Sequence, residues 1–315
     1  MPSRRLADEA LRLFLPASVQ ALLNLAAPRP QSCHPDTGRS TSFIGFGAAL
    51  LQGGKQQAVD STALFSQLNR QLVRDRHGLH YLNAPELLRD QLPPLPETAL
   101  ELRQIAHTLQ AAPDQALFLG KEATESRLKQ LNDAGQLARS RILSFASHAL
   151  LPPDSTQNPV LSRLEPGLVL TPPASGSVED DGYLSASEIA SLTLNADWVL
   201  LSACNTGTLQ AQTSTQGLSA LVRAFFMAGA RSVFASHWPV QSHATEQLMS
   251  ELLSLWQQHP EQGQAEALRR AMLSMLQRGT EECGWWCRLT RQTQTSAAHP
   301  AYWAAFVIYG EGGGV

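Results

Sequence analysis

The chain of 315 residues is long enough to bury a sizeable core, in one large domain or two small ones. Hydrophobic residues make up 43% and charged residues 16%, a globular balance that excludes disorder as the main state. A net charge of −3 gives no general pull toward nucleic acid or anionic membrane, and no apolar run reaches the ~18 residues that span a bilayer.

Arg4 and Arg5 precede the apolar stretch Leu11 to Leu15, but Asp8, Glu9 and Arg12 interrupt it. A signal peptide needs an unbroken apolar segment there, so the expected location is cytoplasmic. Further along, short apolar runs predict strands covered on both faces: Phe43 to Phe46, Ala116 to Leu119, Ile142 to Phe145, Gly167 to Leu170, Trp198 to Leu201, Ser232 to Ala235 and Ala305 to Tyr309.

Helical spacing falls between them. Leu64, Phe65, Leu68 and Leu72 share one face, as do Leu102, Ile105, Ala106 and Leu109. Ser185 and Glu188 form a capping box at the start of the helix before the Trp198 strand. Leu218, Leu221, Val222, Phe225 and Phe226 form a stripe that Gly229 is placed to cap. Leu248, Leu252 and Trp256, then Leu268, Ala271, Met272 and Met275, predict two more helices. Strand and helix alternate, which predicts an α/β fold: a mostly parallel sheet with helices on both faces. No internal repeat is visible.

Gly and Pro mark the loops. Gln91 to Pro96 reads as an extended connector. Residues 151–159 and 208–216 follow two of the strands and are expected to edge one cleft. The acidic run Glu179-Asp180-Asp181 reads as a solvated loop, though it would attract a basic substrate residue if it reached that cleft. Gly53-Gly54-Lys55 lacks the spacing of a phosphate-binding loop.

The four cysteines are Cys33, Cys204, Cys283 and Cys287, too few for a disulfide framework. Cys283 and Cys287 lack a second ligand pair at zinc-site spacing and read as structural thiols. Cys204 differs, because it ends a buried strand and is followed by the turn Asn205-Thr206-Gly207. His148 ends another apolar strand. Open α/β sheets place their chemistry at such strand ends, and a nucleophilic thiol needs a base that is often distant in sequence. By itself the pair also fits a packed cysteine and a structural histidine.

Further segments carry a resemblance. Leu95-Pro96-Glu97-Thr98 with Glu101, Gly120 to Thr124, Phe145-Ala146-Ser147-His148, Gly167 to Leu170 and Asp181 to Leu184 come first. Leu201 to Gly207, Ala228 to Val233, Trp238-Pro239-Val240 with Ala244-Thr245, Glu266 to Arg269 and His299 to Phe306 follow in order. Each alone is weak, but their shared order resembles the CHAT domain, a caspase-like domain associated with TPR proteins in bacteria and some eukaryotes.

The resemblance implies a caspase-like three-layer sandwich and cysteine peptidase chemistry. It matches Cys204 to the nucleophile and His148 to the general base, with backbone N–H groups of Ala149 and Cys204 as oxyanion donors. Ser147, Asn205, Ser236, Trp238 and Ser242 are candidate cleft residues. No metal or other cofactor is called for. The partners implied are a protein or peptide substrate and a TPR-containing regulator, with no nucleic acid and no membrane.

The resemblance departs in places. Ala149 stands where the family commonly has glycine, and a positive φ there would cost energy. Gln241-Ser242-His243 fill a stretch where the family often has aspartate. Residues 1–39 read as a truncated edge of the domain, with residues 10–24 as its strand and helix, and residues 40–315 as its body. Residues 279–297 match no family segment. His237 and His243 fit either a cleft or a helix start, and His299 fits packing. Two functions follow: a caspase-like cysteine endopeptidase, or a non-proteolytic CHAT-like interaction module. A nucleotide-binding protein ranks last, because no glycine-rich fingerprint follows a strand.

Overall fold

A computed structural model describes residues 42–54, 64, 67–68, 72–74, 79–152, 165–202, 215–238, 240, 242–282, 300 and 303–310. The chain opens with β1 (Phe43–Gly47), then a hairpin of β2 (Leu72–Arg74) and β3 (Leu79–Tyr81). Next come α1 (Ala84–Gln91), α2 (Glu97–Thr108), α3 (Pro113–Ala116), β4 (Leu117–Leu119), α4 (Glu125–Asp133) and α5 (Gln136–Arg139). β5 (Ile142–Ala146) leads into β6 (Ala149–Leu150), β7 (Gly167–Val169) and β8 (Tyr183–Ser185). The second half runs α6 (Ala186–Ser191), β9 (Trp198–Leu201), α7 (Thr215–Ala228), β10 (Ser232–Ser236), α8 (Ser242–Gln258), α9 (Gly263–Glu282) and β11 (Phe306–Gly310).

The main sheet has the order β11-β10-β9-β5-β1-β4. All its pairings are parallel except β10 with β11. The apolar runs form strands because both of their faces are covered. Along β9, Trp198 and Leu200 enter one core, while Val199 and Leu201 enter the other. Phe234 on β10 joins the first core, and its neighbours Val233 and Ala235 join the second. One layer is built from α2, α8 and α9, and the opposite layer from α4, α6 and α7. The result is the three-layer α/β sandwich expected of the sequence.

Three sequence expectations need correction. Gly167–Val169 does not join the main sheet; it is the centre of a small antiparallel sheet, β6-β7-β8. A fully apolar run of three residues cannot distinguish the two settings, since this strand is also buried. Leu72 opens β2 rather than continuing the helical face of Leu64 and Leu68. β11 is an edge strand with Val307 partly exposed, not a strand covered on both faces. The hairpin, α1 and the small sheet bury their own cluster around Leu68, Tyr81, Leu88 and Tyr183.

The end of α7 shows how local chemistry fixes the path. Gly229 adopts φ +113°, and Ala230 N–H returns to the Phe225 carbonyl at 3.0 Å. A Cβ at Gly229 would lie 2.3 Å from the Leu194 carbonyl oxygen. Gly229→Ala is therefore expected to cost about 1–3 kcal/mol, combining backbone strain with that clash. Urea unfolding checks this; an unchanged midpoint would show that the α6–β9 loop simply moves aside.

Candidate active site

The chain passes from β1 through α2 to β4 on one side, then returns to β5 on the other. This reversal makes a switch point beyond the carboxyl ends of β1 and β5, where such sheets leave a crevice. His148 follows β5 at that point. It is 1% exposed, and its Nε2 lies 2.8 Å from the carbonyl oxygen of Pro93. A carbonyl only accepts, so Nε2 carries the proton and Nδ1 is the unprotonated nitrogen of the neutral ring. Burial pulls the imidazole pKa below its ordinary 6.5. The Pro93 carbonyl and the Glu97 carboxylate oppose that shift without cancelling it. The ring is thus neutral at pH 7.

The neighbours of His148 are tied into the small sheet. The buried Ser147 hydroxyl donates to the Val169 carbonyl, so Ser147 anchors the histidine segment to β7. Ala149 pairs with Leu168, and Val169 N–H donates to the His148 carbonyl at 2.9 Å. That bond makes Ala149–Leu168 a non-hydrogen-bonded pair, so the Ala149 N–H is turned away from β7. Among the described non-glycine residues only Ala48 and Gln110 have positive φ. The alanine therefore carries none of the strain that its place in the sequence threatened.

The segment entering α2 completes this side of the crevice. Thr98 Oγ1 donates to the Leu95 carbonyl at 2.7 Å and accepts from Ala48 N–H at 2.9 Å, locking the helix start against the end of β1. The same extended connector presents the Pro93 carbonyl to His148. One turn on from Glu97, Glu101 is buried, which raises its pKa to about 7 against the opposing effect of Ser202. Ser202, just past β9, donates its N–H to the Phe145 carbonyl at 3.1 Å.

The register of β5 and β9 relates the two predicted residues. Phe145 pairs with Leu201. His148 and Cys204 each come three positions later in sequence, after neighbouring parallel strands that run about 4.8 Å apart. Cys204 and Asn205 lie outside the described residues, as do Cys33, Cys283, Cys287, His299, residues 10–24 and most of both cleft loops.

The remaining candidates follow β10. Ser236 ends the strand and is buried, while Trp238, two residues on, is 39% exposed. Between them, His237 Nε2 lies 2.9 Å from the Tyr309 hydroxyl on β11. Ser242 and His243 start α8, but their side chains are outside the description. Because β5, β9 and β10 are parallel, His148, Ser202, Ser236 and Trp238 all emerge at one edge of the sheet.

The acidic run is only in part the solvated loop expected. Glu179 is exposed, but Asp180 and Asp181 are buried. Asp180 accepts from Ser126 N–H at 3.1 Å, and Asp181 accepts from the N–H groups of Tyr81 and Tyr183. Burial and the neighbouring Glu188 raise Asp181 to about 7. Asp180 and Asp181 work as internal structure, which removes these two as attractors for a basic substrate residue. Among the described residues no group of three His, Cys, Asp or Glu side chains is arranged to hold a metal. No helix among them is long and apolar enough to cross a membrane.

Sequence reasoning gave no site role to Pro93, Glu97 or Glu101. The sequence did carry a signal, namely two carboxylates in the first turns of a helix entered by a proline-rich connector.

A parallel sheet sandwiched by helices, with a buried histidine at its switch point, defines a caspase-like α/β protein. The CHAT domain family matches residues 9–311, and the chain belongs to that peptidase-related family. Mouse tetratricopeptide repeat protein 28 is 25% identical over 241 residues, covering 69% of this chain and 9% of that protein. The human protein of the same name is 24% identical over 241 residues, covering 69% and 8%. The chain thus spans less than a tenth of the length of these relatives.

Proposed function

We propose that the chain is a cysteine endopeptidase of the caspase-like type. Cys204 gives its thiol proton to His148 Nδ1 and attacks the scissile carbonyl carbon. Backbone N–H groups of Ala149 and Cys204 hold the oxyanion. The imidazolium then protonates the leaving amine, and water hydrolyses the thioester. The observation that carries this reading is the buried His148, its Nε2 donating to the Pro93 carbonyl, just past the strand paired in register with the one leading to Cys204.

A thiol of pKa ~8.5 is only a few per cent thiolate at pH 7, so a neutral imidazole beside it is a useful activator. Cys204→Ala is expected to abolish cleavage in a peptide-library profile; persisting cleavage would sink the assignment. The same profile would read the substrate preference, which is now free of any contribution from Asp180 and Asp181.

A second reading is a non-proteolytic module that acts with a tetratricopeptide-repeat partner. The names of the two relatives favour it. A thiol-directed activity probe separates the readings. Labelling of Cys204 supports the peptidase, and absence of labelling, even with such a partner added, supports the module.

A further inference from the structure

We propose that Gly53 and Thr98 are positioning residues for His148. They pin the two ends of the proline-rich connector, residues 92–98, and so fix the Pro93 carbonyl that holds the imidazole in one tautomer. The inference rests on the reading of His148 as the general base and adds two residues to it.

The connector cannot secure itself. Pro93, Pro94 and Pro96 have no backbone N–H to give. Its hold comes from the strap of chain that follows β1, residues 48–53. Gly53 N–H donates to the Leu92 carbonyl at 2.9 Å, directly before Pro93. Gln52 N–H donates to the Arg89 carbonyl at 2.7 Å, one turn earlier in α1. At the other end, Thr98 Oγ1 donates to the Leu95 carbonyl at 2.7 Å and accepts from Ala48 N–H at 2.9 Å. Leu50 N–H, midway along the strap, donates to Thr171 Oγ1 at 3.0 Å. Strap and connector are thus joined on either side of Pro93, whose carbonyl oxygen lies 2.8 Å from His148 Nε2.

Two local features show how closely this placement is set. A Cβ on Gly53 would lie 2.5 Å from the Gln91 carbonyl carbon and 2.6 Å from both the carbonyl carbon and oxygen of Leu92. All three are backbone atoms, so a larger residue displaces the connector itself rather than a side chain. This is the first glycine of Gly53-Gly54-Lys55, whose spacing fits no phosphate loop but whose bare Cα fits this approach. Ala48 has φ +51°, a left-handed conformation that strains an alanine, and its N–H is the one that Thr98 binds. A strained alanine, a glycine against backbone and a 5% exposed threonine therefore meet at the switch point, around the carbonyl that orients a buried histidine.

The test is the tautomer of His148, read by nitrogen NMR of the full chain carrying isotope-labelled histidine, at about pH 7.5 where the ring is neutral. His148→Gln locates its signals among the nine histidines. The wild type is expected to show the proton on Nε2. Thr98→Val keeps the branched shape and loses the hydroxyl. It is expected to lower the ratio of Nε2–H to Nδ1–H forms by about threefold to tenfold, the weight of one hydrogen bond. Thr98→Ser keeps the hydroxyl and is expected to hold the wild-type ratio, which separates the hydroxyl from the methyl. Gly53→Ala acts from the other end and is expected to shift the ratio in the same direction as the valine. A wild-type ratio in either Thr98→Val or Gly53→Ala removes that residue from the assignment, and in both it overturns the proposal. If the valine variant does not fold, Gly53→Ala decides. A wild-type ring that is bare at Nε2 also overturns it. Peptide cleavage separates this proposal from the reading beneath it. The kcat/KM is expected to fall about tenfold to a hundredfold in Thr98→Val, the scale of a misplaced reacting group, and to recover in Thr98→Ser. If His148→Gln cleaves as well as the wild type, the general-base reading falls. If cleavage needs His148 but its tautomer ignores Gly53 and Thr98, the positioning assignment falls alone.

Discussion

His148→Gln is expected to lower peptide cleavage about 10²–10⁴-fold, the scale lost with a general base. Glutamine is the informative replacement because its amide N–H can reach the Pro93 carbonyl as Nε2 does, while it has nothing to accept a thiol proton. Alanine would confound the result, since it also removes the donor to the part-buried Pro93 carbonyl. The glutamine variant should unfold near the wild-type urea midpoint. Its Cys204 alkylation should follow the titration of an unassisted thiol near pH ~8.5. The wild-type profile should differ in a direction fixed by burial. Desolvation holds the His148 pKa below 6.5, so the acid limb of kcat/KM should fall below that pH. An acid limb above pH 6.5, or a glutamine variant as active as the wild type, would remove His148 from the chemistry.

The sheet was legible because its strands are covered on both faces. Trp198–Leu201 is a run of four buried apolar residues with no polar interruption, and the structure uses those four as β9. The capping box of Ser185 and Glu188 was legible for a different reason: its two hydrogen bonds close within four residues, so no distant partner is needed to infer it. The failures share a cause as well. Gly167–Val169 looks like a sheet strand because it is buried, but burial alone does not say against which neighbours. Leu72 has the spacing of a helix, yet its pairing with Tyr81 across the hairpin overrides it.

His148 could be singled out by sequence, but its tautomer could not. That depends on Pro93, which is distant in the chain and contributes only its backbone carbonyl. The acidic run failed in the same way. Three acidic residues in a loop suggest solvent until the N–H groups of Tyr81 and Tyr183 and the side chain of Ser126 turn two of them inward.

The largest loss of stability is expected from Glu188→Ala, at about 3–5 kcal/mol in urea unfolding near pH 7. Glu188 is 1% exposed and joins four parts of the fold. Its Oε2 accepts from Ser185 N–H at 3.0 Å and from the Ser185 hydroxyl at 2.8 Å, closing the α6 cap. Its Oε1 lies 3.2 Å from His80 Nδ1 on β3 and 3.0 Å from Lys129 Nζ on α4. Lys129 also bridges to the buried Glu125, which accepts from Asp181 N–H at 3.0 Å. Two buried carboxyls this close do not both ionise. The donors around Glu188 hold its pKa low, while burial and the Glu188 charge push Glu125 well up, so Glu125 keeps the proton. Removing Glu188 takes a carboxylate from beside the Lys129 ammonium and His80, and only Glu125, which ionises more readily once the Glu188 charge is gone, remains beside Lys129 to offset the loss. It also frees the start of the helix that leads into β9. Ser185→Ala removes only the cap and should cost about 1 kcal/mol, so the difference between the variants measures the buried network. The sign with pH follows from the depressed pKa. The carboxylate contributes fully above its unfolded value of 4.5, and that contribution is lost as pH falls toward about 2. The deficit of Glu188→Ala should therefore narrow over that window. If the two variants lose equal stability at pH 7, the network is no stronger than its cap.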